Sequence, residues 1–213
     1  MKIKFKIIVL ITFLIVVSSC QKNQPDKQRE KTGDTVGQND MHKQHKSLAD
    51  NLAHKDIIIL ETPYQISEAS QEELQKVLEA YLEIKDALVA SDVPAADVNA
   101  KKMADNIAGV STSGMKEAGL KAWENHSDLY NKKLQEMIHI DGLENKRSYF
   151  SHISEIMYCT IKSFGLKSGT TYVVYCPMAF DRKGAYWLSK DKEIMNPYFG
   201  EKMLKCGEIK EEL

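Results

Sequence analysis

The chain has 213 residues, a formal net charge of −1 at pH 7, and 28% charged against 43% hydrophobic residues. That balance leaves no basic excess for nucleic acid, and past residue 20 no apolar run approaches the about 20 residues a membrane-spanning helix needs. It holds no G-x-S-x-G, no H-E-x-x-H and no phosphate-cradling glycine loop, so it does not read as an enzyme.

Lys2, Lys4 and Lys6 precede the apolar run "IIVLITFLIVV" (7–17), which ends in Val17-Ser18-Ser19-Cys20. A basic start, a short apolar core and small residues before a cysteine fit a bacterial lipoprotein signal over 1–20, with Cys20 taking the lipid. The bland alternative is an ordinary cleaved signal. The expectation is an envelope protein, lipid-anchored to the membrane, the outer one, and facing the periplasm. Disulfides persist in that compartment. Cys159, Cys176 and Cys206 then remain, and an odd count leaves at least one thiol outside any intramolecular bridge.

Residues 21–46 have no aromatic and almost no aliphatic side chain, too little apolar surface to fold, and 21–54 reads as a disordered tether. Met41, His42, His45 and His54 near its end could catch a metal but read as solvated linker residues. Residues 55–213 form one domain, mainly α. "IIILETPY" (57–64) is a strand or an extended lead-in. Ser70 and Glu73 have the spacing of a capping box. Leu74, Val77, Leu78, Tyr81, Ile84 and Leu88 follow at helical period. "SDVP" (91–94) breaks that helix, and Pro94 opens a second with Ala100, Met103, Ala104 and Ile107 inward. A third helix spans Lys116 to Ile138, with Leu120, Trp123, Leu129, Leu134 and Met137 inward. A fourth runs from Asn145 to Phe164, with Phe150, Ile153, Met157, Thr160, Ile161 and Phe164 on one face, and Gly165 ends it.

Beyond Gly165 the pattern becomes β-like. "TTYVVYC" (170–176) reads as a strand and "FDRKGAYWL" as a turn and return strand around Gly184. In "NPYFG", Asn196 caps a short turn begun by Pro197. The expected fold is thus about four helices with a small, hairpin-like, sulfur-bearing module over 170–213.

Cys176 and Met178, two apart in an extended segment, share a face, as do Met203 and Cys206, three apart on a helical turn. Thiolate and thioether together select a soft ion such as Cu(I) or Ag(I), with Met195 as a substitute ligand. A Cys176–Cys206 disulfide with packing methionines is the rival reading, and both stay open. With no C-x-x-C in the chain, a zinc ribbon is excluded. His152 and Cys159, seven apart, share a face about 110° from the centre of the fourth helix's stripe. They read as a partly exposed polar residue and a small packed one, with a place in an additional metal site at the bundle edge as the sharper alternative. His126 and His139 receive no role.

"YCPMAFDRKGAYWLS", "EIMNPYFGEKMLKCGE" and "AYLEIKDALVASD" resemble the domain of unknown function 3347 family, whose members are exported bacterial domains, alone or fused to copper/silver efflux adaptors. The resemblance covers roughly 70–213. It implies a periplasm-facing helical domain in a heavy-metal context, with Cys176, Pro177, Met178, Gly184, Trp187, Leu188, Ser189, Asn196, Pro197, Tyr198, Phe199, Gly200, Met203, Cys206 and Gly207 at the motif positions. The expectation is a lipid-anchored protein that holds Cu(I) or Ag(I) and works with a heavy-metal efflux adaptor or related envelope protein. The alternative is a disulfide-stapled, metal-free module that docks on such a partner.

Overall fold

Ser67 starts the first helix of the computed structural model, which describes residues 62–213; the signal, Cys20, the tether residues Met41, His42, His45 and His54, and the run 57–61 lie outside the described residues. The Ser67 hydroxyl accepts the Ser70 N–H at 3.1 Å and caps α1 (Glu68–Val89). Ser70 and Glu73 therefore do not form the expected box. Both lie inside the helix and reach the loop after α2 (Val93–Ala108): Ser70 Oγ donates to the Ser111 carbonyl at 2.7 Å, and Ser111 N–H donates to Glu73 Oε2 at 2.6 Å.

The other boundaries follow their local signals. Asp92 caps α2 by accepting the Ala95 N–H at 3.0 Å, with Pro94 in its first turn. α3 spans Glu117–His139, and α4 spans Leu143–Phe164 and stops at Gly165. The expected stripes of α1 and α4 are buried. Leu129 of α3 corrects the expectation: it is 48% exposed, because Tyr130 takes the inward position beside it. No helix of the described residues is long and apolar enough to cross a membrane.

Two buried cations at the start of α4 tie its neighbours' C-termini. Lys146 Nζ donates to the Met137 carbonyl of α3 at 2.8 Å and pairs with Asp97 at 2.6 Å. Arg147 donates to the Leu88 carbonyl of α1 at 3.1 Å and to Ser91 Oγ at 3.2 Å. A positive charge on orphan C-terminal carbonyls satisfies them and opposes the helix dipole.

The C-terminal module holds β1 (Tyr172–Cys176), β2 (Ala185–Ser189) and β3 (Glu208–Glu212), an antiparallel sheet in the order β2-β1-β3. The sequence reading included β1 and β2 but not β3. Its "EIKEE" is mostly exposed and carries no alternating apolar signal, so only pairing with β1 makes it a strand. Two features dock the sheet on the bundle. Tyr81 of α1 accepts the Leu188 N–H of β2 at 3.0 Å. The buried Tyr198 ring stands 6.2 Å from Phe150 of α4, 5.8 Å from Trp187 of β2 and 5.3 Å from Phe180, contacts each worth about 0.5–1.5 kcal/mol beyond area burial.

Candidate functional site

β1 ends on Cys176, which is fully buried, and Cys206 lies just beyond the β1–β3 ladder, where Tyr175 faces Glu208. Asn196, also fully buried, fixes the loop that carries Cys206. Its side-chain amide donates to the Cys206 carbonyl at 2.6 Å, and its Oδ1 accepts the N–H groups of Tyr198 at 2.8 Å and Phe199 at 3.3 Å. The expected Asn196 cap is thus present, and it bridges two turns. Cys206 N–H donates to the Met203 carbonyl at 3.0 Å, closing the turn that follows the 3-10 helix Gly200–Met203.

These constraints bring the Cys176 and Cys206 sulfurs to 2.8 Å, as free thiols. Burial, and after it the hydrogen bond to Cys176, push the Cys206 thiol up to about 11, while the nearby Met178 backbone amide works the other way. At neutral pH that sulfur keeps its proton.

After Cys176 the chain turns sharply. Phe180, Asp181 and Arg182 have φ of 51°, 57° and 66°, a left-handed turn of three side-chain-bearing residues. Each such residue costs about 1–2 kcal/mol. Gly184 closes the turn with φ of 80°, and a Cβ there would sit 2.0 Å from the Tyr175 hydroxyl oxygen. The turn forms one wall of an open pocket of about 430 Å³, also lined by Met178, Met203, Tyr198 and Phe199. Met178 and Met203 are 37% and 36% exposed. The two cysteines are therefore together inside the module, and the two methionines face one pocket at its surface. Met195 lies elsewhere, with its sulfur 3.6 Å from Lys205 Nζ.

His152 and Cys159 line a second pocket of about 350 Å³ between α3 and α4, with His126, Leu129, Glu155 and Ile156. His152 is only 3% exposed, against the expectation of a partly exposed residue, because α3 covers this face of α4 as well. Its Nδ1 stands 3.6 Å from Glu155 Oε2. Burial holds the Glu155 carboxyl well above its ordinary range. Burial first, then the Glu155 charge, raise the Cys159 thiol to about 11. His126 Nδ1 lies 3.2 Å from Thr160 Oγ1, and burial lowers its pKa. The sequence reading passed over His126 and Glu155. The spacing of His152, Glu155 and Cys159, three and then four residues apart, was the signal that they share a helix face. Among the described residues no group of three or more His, Cys, Asp and Glu side chains is arranged to hold a metal ion. A soft-ion set in the C-terminal module would therefore combine its two thiols with thioethers.

The fold is a helical bundle of four long helices with a small antiparallel sheet at its C-terminal end. Residues 77–169 match the family described as Protein of unknown function (DUF3347), which bears out the resemblance over the bundle. The matched span stops before β1, so the cysteine and methionine motif lies outside it. No curated protein and no solved structure matches the chain.

Proposed function

We propose that this protein is an envelope lipoprotein, anchored through Cys20, that binds Cu(I) or Ag(I) at its C-terminal module and serves metal efflux or resistance. The observation that supports it best is the pair of thiols 2.8 Å apart with two thioethers lining the pocket beside them. That donor set is soft throughout and suits a soft monovalent ion. Two sulfurs each about 2.3 Å from one ion stand roughly 3.8–4.6 Å apart, so binding requires the thiols to separate by about 1–2 Å. Each ligating thiol releases a proton, so affinity falls as pH falls. The company the family keeps, fusion to copper/silver efflux adaptors, points to such an adaptor or a related envelope protein as the partner.

The sulfur separation also favours a second reading. A disulfide needs about 2.05 Å, a closure of about 0.8 Å. Bridging cysteines 30 positions apart would stabilise by ~3–4 kcal/mol in the loop-entropy account. The module would then be a stapled docking domain without metal.

Native mass spectrometry separates the two. The exported protein is purified without reductant, weighed, reduced anaerobically and offered Cu(I). The metal reading expects a full-mass thiol form that retains copper and a Cys176→Ser/Cys206→Ser variant that does not. A mass lower by two hydrogens, with no copper retained after reduction, would establish the staple instead.

A further inference from the structure

We propose that the pocket between α3 and α4 binds a small uncharged molecule with an apolar body and one hydroxyl group, the hydroxyl resting on the Glu155 carboxyl. None of Cys176, Met178, Met203 and Cys206 lines this pocket, so the inference stands apart from the soft-metal reading. Its volume of about 350 Å³ falls in the range of small-molecule sites, which are mostly apolar with a few placed polar groups.

The polar group is Glu155 of α4, which lines the pocket and is 7% exposed. Its Oε2 is buried and makes no hydrogen bond among the described residues; the 3.6 Å to His152 Nδ1 is too long for one. A buried polar atom in this state is destabilising, and native structures seldom keep one without a partner. Apolar surface lies beside it. Leu129 of α3, a large side chain facing solvent, and Ile156 of α4 line the same pocket. An exposed leucine next to a buried hydrogen-bonding oxygen suits a molecule with both characters. The wall is already set: His126 Nδ1 lies 3.2 Å from Thr160 Oγ1, and its ring stands edge-on to Phe164 with centroids 6.0 Å apart. A site formed in advance spends little of its affinity on ordering.

Charge selects against ions. A cation entering the pocket would meet Lys132 and Lys133, and an anion would be set against the Glu155 carboxyl, away from water. A hydroxyl both donates and accepts, so it completes Oε2 whether or not that oxygen carries the carboxyl proton.

The test uses two probes of one shape, 2-naphthol and 2-methylnaphthalene, which differ by a hydroxyl in place of a methyl. Each is titrated into the full exported chain, with free probe fixed by dialysis, and binding is read from backbone amide shifts in two-dimensional NMR. Expected for 2-naphthol are shifts centred on Leu129, Glu155 and Ile156, a dissociation constant of about 0.1 mM or tighter, and binding about tenfold tighter than that of 2-methylnaphthalene. Glu155→Leu should bring the two probes within about twofold of each other. Leu129→Ser should weaken both by about fivefold; Leu129 is exposed, so this variant carries the test on a folded protein even if Glu155→Leu fails to fold. Circular dichroism checks the helix content of each variant. A greasy cleft without a hydroxyl site would bind 2-methylnaphthalene at least as tightly, and a pocket that holds only solvent would bind neither; either result overturns the proposal. So would shifts centred elsewhere, a naphthol preference that survives Glu155→Leu, or affinities that Leu129→Ser leaves unchanged.

Discussion

Replacing Tyr81 with phenylalanine deletes one oxygen and leaves the ring stacked on Phe150 at 5.0 Å. That oxygen is the middle of a buried chain. Ser154 Oγ donates to the Phe150 carbonyl at 2.9 Å, so its single proton is spoken for. The Tyr81 O–H must then donate to Ser154 Oγ at 2.8 Å, and the Tyr81 oxygen accepts the Leu188 N–H at 3.0 Å. In the Tyr81→Phe variant, Ser154 keeps its carbonyl acceptor, while the Leu188 N–H on edge strand β2 is buried without one. An orphaned buried donor costs about 1–3 kcal/mol, and the midpoint, about 2 kcal/mol, is the expected loss. Urea unfolding measures it directly, and for a domain of this size the thermal midpoint should drop by roughly 4–8 °C. A loss under about 0.5 kcal/mol would mean that the Leu188 N–H finds water or another acceptor, and that this bond does not dock the sheet on the bundle.

Glu155→Gln tests the buried carboxyl. Its pKa is raised in the folded state, so the folded protein holds a proton that the unfolded chain loses. The stabilisation is complete below the ordinary value of 4.5 and is lost as pH rises through the folded value. The variant should match wild type near pH 4 and melt higher near pH 8 by scanning calorimetry; a lower melt near pH 8 would mean that the carboxylate is ionised and paired with His152. Gly200→Ala should destabilise by more than about 2 kcal/mol in chemical denaturation, since φ is +55° and a Cβ would meet the Val89 carbonyl at 2.9 Å and Arg147 at 2.8 Å. A near-neutral result would show that the Arg147 tie is dispensable.

Helices were legible wherever amphipathic period and capping chemistry agreed. Leu74 through Leu88 and Phe150 through Phe164 repeat at helical spacing, and both stripes are buried. Ser70 and Glu73 show the limit of local reading. The cap falls to Ser67, because Ser111, distant in sequence, engages the Ser70 and Glu73 side chains. β3 was invisible for a related reason, since its residues face solvent and its strand character comes from β1. At the site, the spacing of Cys176, Met178, Met203 and Cys206 pointed to the segment in which the fold brings the two thiols together and sets the two methionines on one pocket. Which sulfurs point inward depends on the left-handed turn at Phe180–Arg182 and on Asn196, whose partners are set by the tertiary fold. His126 stayed hidden because it sits on the other helix, and a groove between two helices belongs to neither helix's pattern.

The pairing of β3 has a mechanical side. Thr171 and Leu213 exchange both backbone bonds, at 3.0 and 2.8 Å, so the sheet is fastened at Leu213 itself. Because the strands are antiparallel, a pull on Leu213 acts on that clasp first, then on the pairs of Tyr172, Val173, Val174 and Tyr175 in turn. Cys206 lies past the last of these. The module is a zipper with its slider at Leu213 and its sulfurs at the sewn end, so a partner gripping that strand would have to undo every tooth before it could draw Cys206 away from Cys176.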